Sequence, residues 1–438
     1  MNIVVIDTDT CGIGLNMCIR FRNADHKVKY WLPKFPGTGA ENWVGDGLVD
    51  KIDDWRPWMN WADMIVLTDN CKYHDDLRPY FRKGYPIFGC NPEAAQLELD
   101  RELGQEVLKA HSIPTIPYKV FHNYDRAIAH VQDSGKAYVS KPLGDADKGY
   151  SYVAKDAADL VCKLEKWKAQ NAVKNGFLLQ EKVDGVEMAV GGWFGPGGWA
   201  DWFCENWEEK RLMNDGLGIN TGEQGTTLRY VKKSKLFEEA LEPCTDYLTQ
   251  IKYVGYVDMN CMIVDGVPNP LEWTCRFGWP LTNIQMVLHK GDPALWMHAL
   301  MSGDSGKLRC SERIAVGIVW SHGKYPYEDC KEIDCGYPIY NTEGLEESIH
   351  WVSAKHDVAP MMLAGKVIRH DMVVTAGNYV AVCTGTGLTV QKAAQAALDV
   401  AWTIDLPSNR MFRTDISKRL EKELKQLKKW GYAQDLTF

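Results

Sequence analysis

The residues best suited to chemistry in this chain are Asp258, Glu272 and Arg276. Asp258 lies in the apolar run Tyr256-Val257-Asp258-Met259, and Glu272 in a second short run, Leu271-Glu272-Trp273. Between them Val264-Asp265-Gly266-Val267 is a hairpin signal, since a two-residue loop needs positive φ and Asp-Gly supplies it. Folding the two runs into neighbouring antiparallel strands brings both carboxylates toward one end of a sheet, beside Arg276. That set suits Mg²⁺ with a polyphosphate, because Mg²⁺ takes one or two protein oxygens and completes its octahedron with phosphate and water. An isolated acid pair of this kind is more often a hairpin whose acids face water, since structural ion pairs also gather charge.

Other segments bear on the choice. Lys141 ends an apolar strand and opens the loop Pro142-Leu143-Gly144-Asp145-Ala146-Asp147-Lys148-Gly149. A strand-end lysine before a glycine-containing loop can hold nucleotide phosphates while the loop closes over them; a surface lysine on a hairpin has the same pattern. Gln180 to Glu187 reads as strand, turn, strand. There Glu181 and nearby backbone can meet an adenine edge, and Glu187 can accept both ribose hydroxyls. Lys210-Arg211 and the run Asn220-Thr221-Gly222-Glu223-Gln224-Gly225 offer a cationic, glycine-rich place for a transferred phosphoryl group. Gly12-Ile13-Gly14 lacks the third glycine of a dinucleotide fingerprint and reads as a tight strand-to-helix turn.

The elements that position these residues fall into three stretches. Strands at Asn2–Asp7, His26–Trp31, Asp63–Leu67 and Gly84–Gly89 alternate with helices, which indicates a parallel α/β sheet over residues 1–103. A helix is expected over Asn91–His111. From 104 to 301 strands and hairpins dominate, with a lid unit at about 115–190, helices at Ala157–Ala169 and Lys235–Gln250, and a strong turn at Gly195-Pro196-Gly197-Gly198. A loop of linker composition, Ser302 to Gly306, precedes a smaller α/β stretch over 302–438. It ends in an amphipathic helix with Leu420, Leu424, Leu427 and Trp430 on one face.

With 438 residues the chain exceeds one core. A net charge of -8 argues against general nucleic-acid binding, which needs basic patches. The 13 cysteines are scattered without a Cys-x-x-Cys pair, so reduced thiols in a cytoplasmic protein are expected rather than disulfides or zinc. The start MNIVVIDTDT lacks the pattern of a signal peptide, and no apolar run is long enough to span a membrane.

Taken in order, these segments resemble an ATP-grasp enzyme, and above all the phosphoribosylamine–glycine ligase family. The resemblance rests on Phe88-Gly89, Ala94 to Glu98, Val183 to Glu187, Lys210-Arg211, Asn220-Thr221-Gly222 and Leu271 to Gly278. It extends to Val373 to Gly377 and Phe412 to Ile416. It implies an N-terminal biotin-carboxylase-like α/β domain, a central ATP-grasp α+β domain with a lid, and a small C-terminal α/β domain. It implies ATP with Mg²⁺, or Mn²⁺ in its place, and a place in purine biosynthesis. Arg101, Lys141, Lys148 and Gly149 are implied at the phosphates, Glu181 and Val183 at the adenine, and Glu187 at the ribose. Glu272, Asp258 and Thr274 are implied at the metal. Arg276, Lys210, Asn220 and Gly222 are implied at the reacting groups. The departures are specific. Thr274 replaces an asparagine ligand, Trp279 replaces an acid, Glu208 replaces an aspartate, and Arg101 replaces a lysine. The N-terminal loop that serves the family's amine becomes Thr8-Asp9-Thr10-Cys11-Gly12-Ile13, and another family loop is replaced near Asp69-Asn70-Cys71.

The implied reaction has two steps: a glycine-like carboxylate takes the γ-phosphoryl group of ATP, and an amine then displaces phosphate from the acyl phosphate. Three readings follow: the family reaction itself; a ligase for another amine or acid, favoured by the altered loops and Trp279; and a nucleotide-binding protein without turnover, supported only by Thr274. A monomer or a homodimer, with small-molecule partners and no membrane, is expected.

Overall fold

The computed structural model describes residues 1–8, 12–35, 41–70, 73–143, 151–170, 172, 175–327 and 335–438. Its first sheet follows directly from continuous apolar runs, which suit strands covered on both faces. Asn2–Ile6 lies between Lys27–Trp31 and Met64–Leu67, and Ile87–Gly89 completes the sheet; all three pairings are parallel. The expected single helix over Asn91–His111 is two, Pro92–Leu99 and Arg101–Ala110. Asp100 breaks it: its backbone is extended and its carboxylate accepts from the N–H groups of Glu102 and Leu103, an N-cap that restarts the helix. Arg101 therefore opens the second helix. Pro243 similarly splits the expected helix over Lys235–Gln250 into Lys235–Ala240 and Thr245–Gln250.

The largest element is an eight-stranded antiparallel sheet. Its order is Val267–Thr274, Gly255–Val264, Val186–Gly195, Gly198–Arg211, Asn220–Val231, Ile314–Ser321, Tyr379–Gly387 and Ile349–Trp351. Two features of this arrangement lie at expected borders. The sheet runs through 301/302 without a break, because Asn220–Val231 pairs directly with Ile314–Ser321. The lid sheet, ordered Tyr118–Phe121, Phe177–Glu181, Tyr138–Pro142, Tyr152–Val153, ends at Glu181. The strand from Val186 belongs to the large sheet. Ala354–Leu363 and Lys366–Thr375 form a separate hairpin.

Strand alternation sets what each face of the large sheet carries. Val257, Met259, Cys261 and Ile263 enter the core with Val186, Met188, Val190, Trp207 and Trp273. The alternate residues, Asp258 and Asn260, face the opposite side. Asp265 and Gly266 both have positive φ in a two-residue loop between Val264 and Val267, as the Asp-Gly pair requires. The core cysteines, Cys204 and Cys261 among them, are free thiols. Among the described residues no helix is long and apolar enough to cross a membrane.

The amphipathic tail is the helix Lys418–Lys429, which buries Leu420, Leu424 and Leu427 in the same core as Met259. Its Arg419 donates to the Glu208 carbonyl at 2.8 Å and pairs with Glu209 at 3.4 Å, so the tail braces the strand that carries Lys210. Leu427→Ala should lower the unfolding free energy by about 2–4 kcal/mol, as for other fully buried leucines. Denaturant titration reads this, and an unchanged midpoint would show that the helix is not docked.

Candidate active site

The polar face of the large sheet collects side chains from four adjacent strands. Glu272 comes from Val267–Thr274, Asn260 from Gly255–Val264, Glu187 from Val186–Gly195, and Glu208 and Lys210 from Gly198–Arg211. Register brings them together: Asn260 lies opposite Glu272 on one side and Ala189 on the other, and Ala189 lies opposite Asn206. Lys210 Nζ stands 3.0 Å from Glu272 Oε1, 3.0 Å from Glu208 Oε2 and 3.7 Å from Glu187 Oε1. Asn260 Nδ2 donates to Glu187 Oε1 at 2.8 Å and to Glu208 Oε2 at 3.1 Å. Asn260 Oδ1 is buried without a hydrogen-bond partner among the described residues.

The electrostatics are mutually dependent. Burial disfavours the Lys210 charge, but Glu208, Glu272 and Glu187 more than offset it and hold its pKa well above the ordinary lysine value. Burial likewise raises the Glu187 carboxyl, and Lys210, Arg419 and the Asn260 amide reverse that and keep it below the usual range. Lys210 and Glu187 thus each favour the charged form of the other.

Lys141 approaches from the lid strand Tyr138–Pro142 and donates to the Leu271 carbonyl at 2.9 Å. Burial lowers its pKa to about 8, against the pull of Glu272 and with the help of Arg101. Arg101 Nη1 is 3.8 Å from Glu272 Oε2, and Arg101 Nε donates to the Pro142 carbonyl at 3.3 Å. A recess between lid and large sheet is lined by Arg101, Lys141, Leu178, Gln180, Leu271 and Glu272. Arg101, Lys141, Glu187, Lys210 and Glu272 thus converge as a group.

Other expected site residues lie elsewhere. Asp258 does not join Glu272. It is buried, and its Oδ2 accepts from Asn206 Nδ2 at 2.9 Å and from the Tyr256 hydroxyl at 2.8 Å. Room for this arrangement comes from Gly191, where a Cβ would stand 2.0 Å from the Tyr256 hydroxyl and 2.6 Å from Asp258 Oδ2. Thr274 lies opposite Asp258, on the face it shares with Glu272 two residues away. Arg276 is held between Glu98 at 3.0 Å and Asp69 at 3.4 Å, and so ties the hairpin to the N-terminal segment. Glu181 pairs with Lys136 at 2.7 Å and its N–H donates to the Pro117 carbonyl, while Val183 sits in the connector from lid to large sheet. Lys210 and Arg211 end a strand, not a loop, and Arg211 pairs in register with Asn220. Asn220 and Gly222 line a second recess. Lys148 and Gly149 lie outside the described residues, as do Asp9, Thr10, Cys11 and Cys71.

Glu208, noted in the sequence only as standing in place of an aspartate, and Asn260, not singled out there, also belong to this cluster. The available signal was polar residues at every second position inside apolar strands: Asn206, Glu208 and Lys210, and Asp258 with Asn260.

Comparison with known proteins agrees with this geometry. The family model for the phosphoribosylglycinamide synthetase ATP-grasp (A) domain matches residues 100–282. Residues 100–282 are thus similar to an ATP-grasp domain. The phosphoribosylamine–glycine ligases of Vibrio cholerae and Haemophilus influenzae are each 28% identical to this chain, over 356 and 365 residues. These alignments cover 77% and 78% of the chain and 78% and 80% of the relatives. The crystal structure of phosphoribosylamine–glycine ligase from Thermotoga maritima superposes with a TM-score of 0.70 at 20% identity, covering 95% of this chain and all of that one. The biotin carboxylase domain of the Hydrogenobacter thermophilus 2-oxoglutarate carboxylase, solved with MgADP and bicarbonate, shares the fold at a TM-score of 0.58 and 12% identity. That match covers 97% of this chain and 95% of the other. The expected fold class and the ATP-dependent carboxylate–amine ligase activity both stand.

Asp258 yields a pH test. Burial, and then Glu208, push its carboxyl from 3.8 up to about 7. Between those values the unfolded chain has lost the proton and the folded chain keeps it, so the Asp258 contribution to stability falls as pH rises from about 4 to about 7. Asp258→Asn should therefore gain in melting temperature relative to the unsubstituted protein across that range, with EDTA present. Parallel melting curves would remove the assignment.

Proposed function

We propose that the chain binds the triphosphate of ATP between lid and large sheet and uses it to join a small, glycine-like carboxylate to an amine. The convergence of Glu187, Glu208 and Glu272 on Lys210, facing Lys141 and Arg101, supports this reading. The substrate carboxylate attacks the γ-phosphorus, giving an acyl phosphate and ADP; the amine then attacks the acyl carbon, and phosphate and a proton leave. Lys141 and Arg101 offset charge on the phosphoryl oxygens. The strand-to-strand connector at Val183 meets the adenine, and Glu187 the ribose. Arg276, fixed by Glu98 and Asp69, positions the end of the hairpin that carries Glu272. The lid excludes water from an intermediate that hydrolyses readily.

The residues fit Mg²⁺. Glu208 and Glu272 are hard oxygen donors, and the buried Asn260 Oδ1 beside them lacks a partner among the described residues. No group of three His, Cys, Asp or Glu side chains among the described residues makes a complete cage. That agrees with a cation that arrives on the triphosphate and takes only one or two protein carboxylates. Glu272 and Glu208 would hold it, and it would neutralise charge on the transferred oxygens. The free core thiols fit the cytoplasm.

Hydroxylamine traps acyl phosphates as hydroxamates, whatever the natural amine. With ATP, Mg²⁺ and a panel of small amino acids starting with glycine, hydroxamate should form in step with ADP. Nucleotide binding without ADP or hydroxamate from any acid would leave the third reading, a binding protein without turnover. Glu272→Gln should cut hydroxamate formation about 100-fold or more with an unchanged melting temperature. Lys141→Ala should raise the KM for ATP about tenfold, and unaltered ATP kinetics would take Lys141 out of the phosphate site.

A further inference from the structure

A cavity of about 290 Å³ lies between the first helix of the chain, Leu15–Asn23, and the strand Ile349–Trp351 with the turn before it. Asn16, Ile19, Arg20 and Asn23 line it at positions i, i+3, i+4 and i+7, which is one face of that helix. Ile349–Trp351 is the edge strand of the large sheet, at the end opposite the strand that carries Glu272. The cavity is therefore separate from the carboxylate–lysine cluster. Asn16 is fixed in place, with its Nδ2 3.0 Å from His350 Nδ1, and His350 Nε2 is 2.9 Å from Thr384 Oγ1. The helix face is thus tied to the large sheet before any ligand arrives.

Arg20 is the under-satisfied group in this lining. Its side chain is 22% exposed, and its Nε is buried without a hydrogen-bond partner among the described residues. Its Nη1 stands 3.7 Å from Glu347 Oε2, too far for a hydrogen bond, and the Glu347 side chain is 90% exposed. Burial disfavours the Arg20 charge, and Glu347 opposes that effect. Arg22, by contrast, is engaged, since its Nη1 donates to the Leu48 carbonyl. A mostly covered guanidinium without a close acceptor among the described residues suits a carboxylate, which matches its planar set of donors.

The facing turn supplies the opposite sign. Glu346 and Glu347 both line the cavity, and Glu346 Oε1 accepts from the Gly344 N–H at 2.9 Å. Bonds from that N–H and from its own N–H hold the Glu346 carboxyl below the usual range. Ile19, Leu48, Ile349 and Trp351 add apolar surface. A dianion such as phosphate meets two carboxylates here, whereas a zwitterion finds a partner for each of its charges.

We infer that this cavity binds a free α-amino acid with an apolar side chain, its carboxylate on Arg20, its ammonium on Glu346 and Glu347, and its side chain against Ile19 and Trp351. Glu347 exchanges its long contact with Arg20 for one with the ammonium, and an exposed ion pair of that kind contributes little. The ligand then bridges the N-terminal helix and the edge of the large sheet. The inference stands apart from the ligase reading, because none of the groups it uses belongs to the cluster around Lys210.

Calorimetric titration of the full chain without ATP tests this. The probes are L-leucine, 3-methylbutylamine, which lacks the carboxylate, and 4-methylpentanoate, which lacks the ammonium. L-Leucine should bind, and each truncated analogue should bind about tenfold more weakly or worse. Arg20→Gln should weaken L-leucine about tenfold or more, and Glu347→Gln about fivefold. Melting curves check both variants, and the exposed position of Glu347 supplies a folded variant whatever Arg20→Gln does to stability. Glu272→Gln should leave L-leucine binding unchanged. No heat from L-leucine at about 10 mM, or equal binding of either analogue, overturns the inference. So does L-leucine binding that is indifferent to Arg20→Gln and Glu347→Gln, or that is lost in Glu272→Gln.

Discussion

The charge balance around Lys210 is the constraint on which the rest of the site depends. Three carboxylates on one sheet face repel each other, and partial burial removes much of the water that would screen them. A single ammonium within 3.7 Å of all three makes the arrangement tenable. Asn260 bridges two of the acids, and Arg101 approaches the third from the neighbouring helix. A cluster held in this way has its charges in place before any substrate arrives. That is the condition under which electrostatic stabilisation of phosphoryl transfer is effective.

The cluster owes its place to the two faces of one sheet. In Gly255–Val264 the odd-numbered residues Val257, Met259, Cys261 and Ile263 are apolar and buried, and the intervening Asp258 and Asn260 turn toward the polar side. The apolar face fixes the strands by packing, and the fixed strands hold the acids. Asp258 belongs to the support rather than to the acid group: it anchors Asn206 and Tyr256 in a space that only Gly191 leaves open. The tail helix adds a second brace through Leu427 in the core and Arg419 against the strand of Glu208 and Lys210.

Two further linkages carry order from the cluster outward. Arg276, between Glu98 and Asp69, joins the end of the acid-bearing hairpin to the N-terminal segment. The relay from Lys210 through Thr221 and Gln224 to Tyr325 joins it to the recess that Asn220 and Gly222 line.

Much of this was legible in the sequence because it depends on local rules. Continuous apolar runs separated by helical segments gave the parallel N-terminal sheet, and Asp265-Gly266 specified the hairpin through positive φ. The order of motifs through Arg276 carried the resemblance to ATP-grasp enzymes. What only the tertiary structure decided was register across strands distant in sequence. Alternation tells which face a residue takes, but the pairing of Asn260 with Glu272, and of Asp258 with Thr274, comes from long-range packing. For that reason Glu208 and Asn260 joined the acids while Asp258 did not. The break at Asp100 and the burial of Arg276 between two acids depend likewise on capping and on partners that approach from other elements. A period of two fixes direction along one strand, and only the packed core fixes which neighbours that direction meets.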